Sequence, residues 1–135
     1  MPSYLARVEQ ADPEIGVLLV VEDDPDMRLL IRATLNRNPG LVVFGEATSA
    51  EAALDLARTN DPGLIILDHS LDGKMTGLAA APLLKQAAPA AKILLFTAYD
   101  LAAEARAEPA VDAYLRKDDI HRLLPTVEHL LGIGP

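Results

Sequence analysis

Four acidic side chains stand directly behind two short apolar runs: VLLVV (17–21) is followed by Glu22-Asp23-Asp24, and LIIL (64–67) by Asp68. Two further runs end in a hydroxyl and an amine, ILLF (93–96) in Thr97 and AYLR (113–116) in Lys117. If these runs are parallel strands of one sheet, all of these groups emerge at the same edge, where such sheets place their ligands. Carboxylates crowded there repel by about 4 kcal/mol per close pair at the effective dielectric of a protein surface. A cation must therefore sit among them, or some of them must be protonated.

Magnesium suits such a pocket, because it takes one or two carboxylates together with waters and phosphate oxygens rather than a full protein cage. A carboxylate is also a nucleophile that forms an aspartyl phosphate. Phosphoryl transfer needs mainly positioning and charge neutralisation, from a divalent ion, a lysine and a hydroxyl donor. The strand ends supply these groups. Asp68 stands alone after its strand and is the best nucleophile, Glu22 and Asp23 read as holders of the ion, and Thr97 and Lys117 supply the hydroxyl and the amine.

The elements that must carry these groups alternate along the chain. Strands are expected at 17–21, about 41–46, 64–67, 92–97 and 111–116. The first helix, from about 25 to 37, has Asp24 as N-cap and Pro25 at its first position, with Met27, Leu30, Ile31, Thr34 and Leu35 as its apolar face. The second opens with Thr48-Ser49-Ala50-Glu51, a capping-box spacing, and buries Ala50, Ala53, Leu54 and Ala57. The third, roughly 77–88, carries Pro82, which should bend or shorten it. A short helix at 101–108 stops at Pro109. The last, about 120–131, has Pro125 near its first turns, where it delays the helix start. Five βα units with strands apolar nearly throughout predict an α/β fold with a parallel sheet covered on both faces. Right-handed crossovers leave few topologies. The flavodoxin-like doubly wound order 2-1-3-4-5 sets the first and third strands side by side, so that Glu22, Asp23 and Asp68 share a pocket.

Bulk properties narrow the class. A chain of 135 residues, half of them hydrophobic, is one domain with a real core. The net charge of −8 without a basic run argues against a nucleic-acid or anionic-membrane surface. The absence of cysteine excludes disulfides and thiolate chemistry, and the three histidines show no zinc spacing. No apolar run approaches 18 residues and no signal-peptide layout opens the chain, so a cytoplasmic protein is expected. Residues 1–16 read as a polar, flexible extension ahead of one domain at 17–132.

VLLVVEDDPDMR, LIILDHSLDG…TG, ILLFTA and DAYLRK, in this order and at these spacings, resemble the receiver domain of bacterial two-component response regulators. The resemblance covers about residues 17–132. It implies that Asp68 is the phosphoacceptor, Glu22 and Asp23 the acidic pair, Thr97 the switch hydroxyl, Tyr114 the switch aromatic and Lys117 the phosphate-pairing lysine. The backbone carbonyl of Ser70 would complete the protein ligands to Mg²⁺. The implied phosphodonor is a sensor histidine kinase or a histidine phosphotransfer protein, and the implied outcome is switched binding of a downstream partner. The resemblance further implies that the domain catalyses only its own phosphorylation and dephosphorylation, and a homodimer is left open.

The chain departs from the family pattern at three places. HSLDGKMTG after Asp68 is one residue longer than usual, which brings Lys74 and Met75 near the pocket. Asp118 replaces the frequent proline after Lys117, so the bond there is expected to be trans unless a strained loop is retained at a cost of about 3 kcal/mol. Pro109-Ala110-Val111 predicts a truncated fourth helix. Two other readings compete with a phosphorylated receiver. A Mg²⁺-dependent phosphohydrolase with an Asp nucleophile usually has a second Asp two residues on, where this chain has Ser70. A phosphorylation-independent or flavodoxin-like binding module would not need Asp68, Thr97 and Lys117 together, and a flavin phosphate loop would not carry three acids.

Overall fold

The computed structural model describes residues 16–135. The expected extension therefore lies outside the described residues except for Gly16, which opens the first strand instead. The elements are β1 (Gly16–Val21), α1 (Pro25–Leu35), β2 (Leu41–Ala47), α2 (Ala50–Asn60), β3 (Leu64–Leu67), α3 (Gly77–Ala87), β4 (Lys92–Thr97), α4 (Ala102–Ala107), β5 (Ala113–Arg116), a 3₁₀ segment (Lys117–Arg122) and α5 (Leu123–Leu131). All strand pairs are parallel, in the order β2-β1-β3-β4-β5. This is the doubly wound flavodoxin-like arrangement expected.

Side chains alternate across a strand, and here both faces are buried. Leu19, Val21, Ile65, Leu67, Ile93 and Leu95 face one layer, completed by alanines and leucines of α2 and α3 and by Ala105 of α4. Leu18, Val20, Leu64, Ile66, Leu94 and Phe96 face the other, completed by Ile31 and Leu35 of α1 and by Leu123 and Val127 of α5. Full burial of each such side chain contributes roughly 1.5–3 kcal/mol. Small residues on α2 and α3 let those helices lie close to the sheet, which is why a core with few aromatics closes.

Local chemistry sets the helix ends. The Asp24 side chain accepts from the Asp26 N–H, and Pro25 fills a position where a missing N–H costs nothing. Ser49, not Thr48, caps α2 by accepting from Ala52 N. The capping-box spacing was thus offset by one residue, and Glu51 is not the cap's partner. α1 ends at Leu35, two residues before the expected end, and buries only Ile31 and Leu35, whereas Leu30 is 45% exposed. Pro82 is accommodated within a continuous α3. Pro125 occupies the first turn of α5, whose start is displaced to Leu123 by the 3₁₀ segment. β5 begins at Ala113 because Asp112 turns its carboxylate onto Ile93 N and Lys85. Among the described residues there is no cis peptide bond, so Lys117-Asp118 is trans. No helix there is long and apolar enough to cross a membrane.

Candidate functional site

The register of β1 with β3 places Val21 beside Leu67, so the next residues, Glu22 and Asp68, leave the sheet together. The ladder continues one step past each strand, with Glu22 N donating to Ala47 O and Asp68 N to Val21 O at 2.9 and 3.0 Å. Glu22, Asp23 and Asp68 each offer a carboxylate oxygen, and these atoms lie within 4.8 Å of one another. Glu22 and Asp68 are buried, at 1% and 4% exposure, while Asp23 is half-buried at the mouth.

β4 pairs with β5 so that Thr97 stands beside Arg116, and Lys117 follows directly. From there the lysine reaches back across the sheet edge. Its ammonium donates to Asp68 Oδ2 at 2.8 Å and lies 2.6 Å from Glu22 Oε1. The other Asp68 oxygen accepts from His69 N at 2.7 Å. Burial pushes the Glu22 carboxyl up from 4.5 to about 7. The Asp68 charge adds to the rise, while Lys117 and the Asp24 N–H oppose it. Burial also disfavours the charged Lys117, but its bonds to Asp68 and Glu22 outweigh that and hold the ammonium above the usual lysine range. The pair of carboxylates thus meets its repulsion in both ways that physics allows, by a cation and by a raised proton affinity.

Three hard oxygen donors converging on one point, with Asp23 at the open side, fit the small number of protein ligands that Mg²⁺ takes. The donor set contains no nitrogen or sulfur ligand that would favour zinc.

The other residues singled out in the sequence lie around this centre. Thr97 is fully buried at the end of β4, and its Oγ1 accepts from Tyr99 N at 3.4 Å. Ser70 is exposed in the bend after Asp68. The Tyr114 hydroxyl donates to Tyr99 O at 2.8 Å and accepts from Leu101 N at 3.0 Å, which fixes the β4–α4 loop. The longer loop after β3 is pinned toward α2 by a bridge between Ser49 and Asp72, with Asp72 N donating to Thr48 O at 3.0 Å. Lys74 and Met75 of this loop line a hollow of about 340 Å³ beside the site, with His69, Ser70 and Tyr99. His69 is turned away from Asp68: its Nδ1 receives Leu78 N at 3.4 Å and its ring meets Tyr99 edge-on at 6.0 Å.

Two contributors escaped the sequence reading. Arg28 donates to the carbonyls of Glu22 and Asp23 at 2.9 and 3.1 Å. Gly77 N donates to His69 O at 2.9 Å and sets the start of α3 against the backbone of Asp68. The TG after the loop was the one available signal for Gly77; an arginine on a helix gives none.

Comparison with known proteins agrees with this geometry. The response regulator receiver domain model matches residues 18–128. The nitrate/nitrite response regulator protein NarP of Escherichia coli is 34% identical over 103 residues, covering 75% of this chain and 47% of that protein. The chain spans about half the length of the curated nitrate/nitrite regulators it matches. A LuxR-family two-component response regulator from Aurantimonas sp. SI85-9A1 superposes with a TM-score of 0.80 at 30% identity, covering 87% of this chain and 86% of that one. The signal receiver domain of the NarL response regulator from Mycobacterium tuberculosis gives 0.79 at 25% identity, covering 89% and 98%. The acidic pocket lies at the sheet edge where the sequence put it, the sheet order is the expected one, and the matched model takes in nearly every element; the chain belongs to the receiver domain family of two-component response regulators.

Proposed function

We propose that Asp68 is the phosphoacceptor and takes its phosphoryl group from a phosphohistidine of a sensor kinase or a histidine phosphotransfer protein. The observation that carries this is the Lys117 ammonium held between Asp68 and Glu22, with three carboxylate oxygens within 4.8 Å of one another. An Asp68 oxygen attacks phosphorus as the P–N bond of the donor breaks. The imidazole leaves with the electron pair of that bond, and the phosphoryl group becomes an acyl phosphate on Asp68. Glu22, Asp23, Asp68 and the Ser70 carbonyl would hold Mg²⁺, which neutralises carboxylate and phosphoryl charge when bound. Lys117 pairs with one phosphoryl oxygen and Thr97 donates its hydroxyl to another. Both groups act where negative charge is shared over the transferring oxygens.

In this reading residues 17–132 form the signalling unit and act on no other substrate. Thr97 and Tyr114 convert the modification into altered binding of a downstream partner in the cytoplasm. The relatives named above include one regulator of the LuxR family, whose likeness supports a signalling output without identifying it for this chain. Ser70 at the second position after Asp68 disfavours the phosphohydrolase reading.

The test is intact mass after incubation with acetyl phosphate and Mg²⁺. The wild-type protein should gain one phosphoryl group, and Asp68→Asn should gain none. A stoichiometric phosphate on the variant would overturn the assignment.

A further inference from the structure

Arg28 is the fourth residue of α1, and its own N–H makes the first helical bond, to Asp24 O at 3.0 Å. Side chains on a helix lean toward its N-terminus, and that of Arg28 returns to the β1–α1 connection. There a single atom, Nη1, donates to the carbonyls of Glu22 and Asp23 at 2.9 and 3.1 Å. Those two carbonyls belong to consecutive peptide planes that flank the Cα of Asp23. A peptide unit is rigid, so fixing both planes fixes φ and ψ of Asp23, and with them the direction in which its side chain leaves the backbone. The same connection is held on its N–H side by Asp24 N donating to Glu22 Oε2 at 3.1 Å and Asp26 N donating to Asp24 Oδ1 at 3.0 Å.

We propose that Arg28 is a positioning residue for the cation site, aiming the Asp23 carboxylate at the point where it meets those of Glu22 and Asp68. This rests on the reading of Glu22 and Asp23 as holders of Mg²⁺. Arg28 touches no carboxylate in the site; its contacts are both to backbone oxygens. Its two influences on a bound cation have opposite signs. A guanidinium near three carboxylates repels Mg²⁺, so charge alone would make the ion bind more tightly once Arg28 is removed. Orientation of a ligand works the other way, because loss of a group that orients a metal ligand weakens binding. Asp23 is half-buried and none of the described hydrogen bonds reaches its carboxylate, so its direction rests on the backbone that Arg28 holds, and the orienting influence is the one expected to dominate.

The experiment is a Mg²⁺ titration of the unphosphorylated protein followed by amide NMR shifts, with thermal melts in chelator alongside. Asp23→Asn comes first. If it binds Mg²⁺ as well as the wild type, the ion-holder reading fails, and the role given to Arg28 falls with it. With that reading standing, Arg28→Met should weaken Mg²⁺ binding roughly tenfold, the lower end of what loss of such an orienting partner produces. Arg28→Lys, which keeps a donor and the charge, should recover most of the affinity. If Arg28→Met fails to fold, Arg28→Gln decides: it removes the charge and keeps an amide donor on a shorter side chain, and should still bind Mg²⁺ more weakly than the wild type. Equal or tighter Mg²⁺ binding in the folded uncharged variant shows that Arg28 acts only through its charge or not at all, and overturns the proposal.

Discussion

Gly77 stands against the backbone of Asp68 so closely that a Cβ at position 77 would lie 1.8 Å from the Asp68 carbonyl oxygen. The first residue of α3 is thereby the wall behind Asp68, and Gly77 N also ties His69 O at 2.9 Å. An atom of the main chain cannot swing aside as a side-chain end can. Gly77→Ala should therefore cost at least about 1–3 kcal/mol, the usual range for overpacking. It should also slow phosphorylation, because Asp68 must move with its carbonyl. Urea unfolding and the rate of mass gain from a phosphodonor measure the two effects. An alanine variant with wild-type stability and rate would show that α3 backs away freely.

Glu22 gives the domain a pH dependence whose sign follows from burial. Its carboxyl titrates at about 7 in the folded chain against 4.5 for the ordinary group. Between those values the native state holds a proton that the unfolded state has released, so stability is highest below pH 4.5 on this group's account and falls as pH rises through 7. With Mg²⁺ removed by chelator, the unfolding midpoint should drop between pH 5 and 8, and Glu22→Gln should flatten that slope. A wild-type slope that survives the substitution would assign it to another group.

Asp112 acts in the opposite direction. Burial raises its pKa, but bonds from Lys85 and Ile93 N, together with the charges of Lys85 and Lys92, outweigh that and leave it below the usual 3.8. Its contribution is present above the unfolded value and is lost as pH falls through the folded one. The carboxylate joins α3 to the start of β4, with both bonds to Oδ2 at 2.7 and 2.8 Å. Asp112→Asn should cost roughly 1 kcal/mol at pH 7, below the upper range for charged hydrogen bonds because the pair is partly solvated. The penalty should shrink as the pH is taken from 7 to well below the usual 3.8. A loss that is the same at both pH values would point to packing instead of charge.

The acidic edge was legible because it follows from local patterns, whereas the sheet order came from the crossover rule and, in part, from analogy with flavodoxin-like folds. Apolar runs ending in Glu22, Asp68, Thr97 and Lys117 must project those residues at one edge once the strands are parallel. What stayed hidden depends on where the chain returns in space. Leu30 matches the helical period of Ile31 and Leu35, yet α5 and the sheet reach only the latter two. Arg28 reads as part of a solvated face until its guanidinium is seen on the carbonyls of Glu22 and Asp23. Asn38 reads as a helix terminator, but it is buried and donates to Glu128 at 2.7 Å, 90 residues away, and to Gly134 O at 3.0 Å. The start of β5 was misplaced for the same reason, since Lys85 and Ile93 recruit Asp112 from outside its own segment.

The last prediction concerns how a phosphoryl group at Asp68 is read elsewhere. α4 is six residues long, and no side-chain hydrogen bond caps its start. The Tyr114 hydroxyl takes over part of that task by accepting Leu101 N and donating to Tyr99 O. Tyr99 N in turn rests on Thr97 Oγ1. If Thr97 turns its hydroxyl to the phosphoryl group, that support of Tyr99 is lost, and the segment held by Tyr114 must rearrange. A rigid shift of so short a helix would preserve its own protection, whereas a change of order in 98–110 would not. Amide exchange with and without beryllofluoride should show its largest change in 98–110. Tyr114→Phe should raise exchange at Leu101 by roughly tenfold before any activation, the equivalent of one hydrogen bond of about 1.4 kcal/mol. It should also shrink the beryllofluoride response there. If 98–110 is strongly protected and unmoved while α1 or α3 responds, the signal leaves the site by another route.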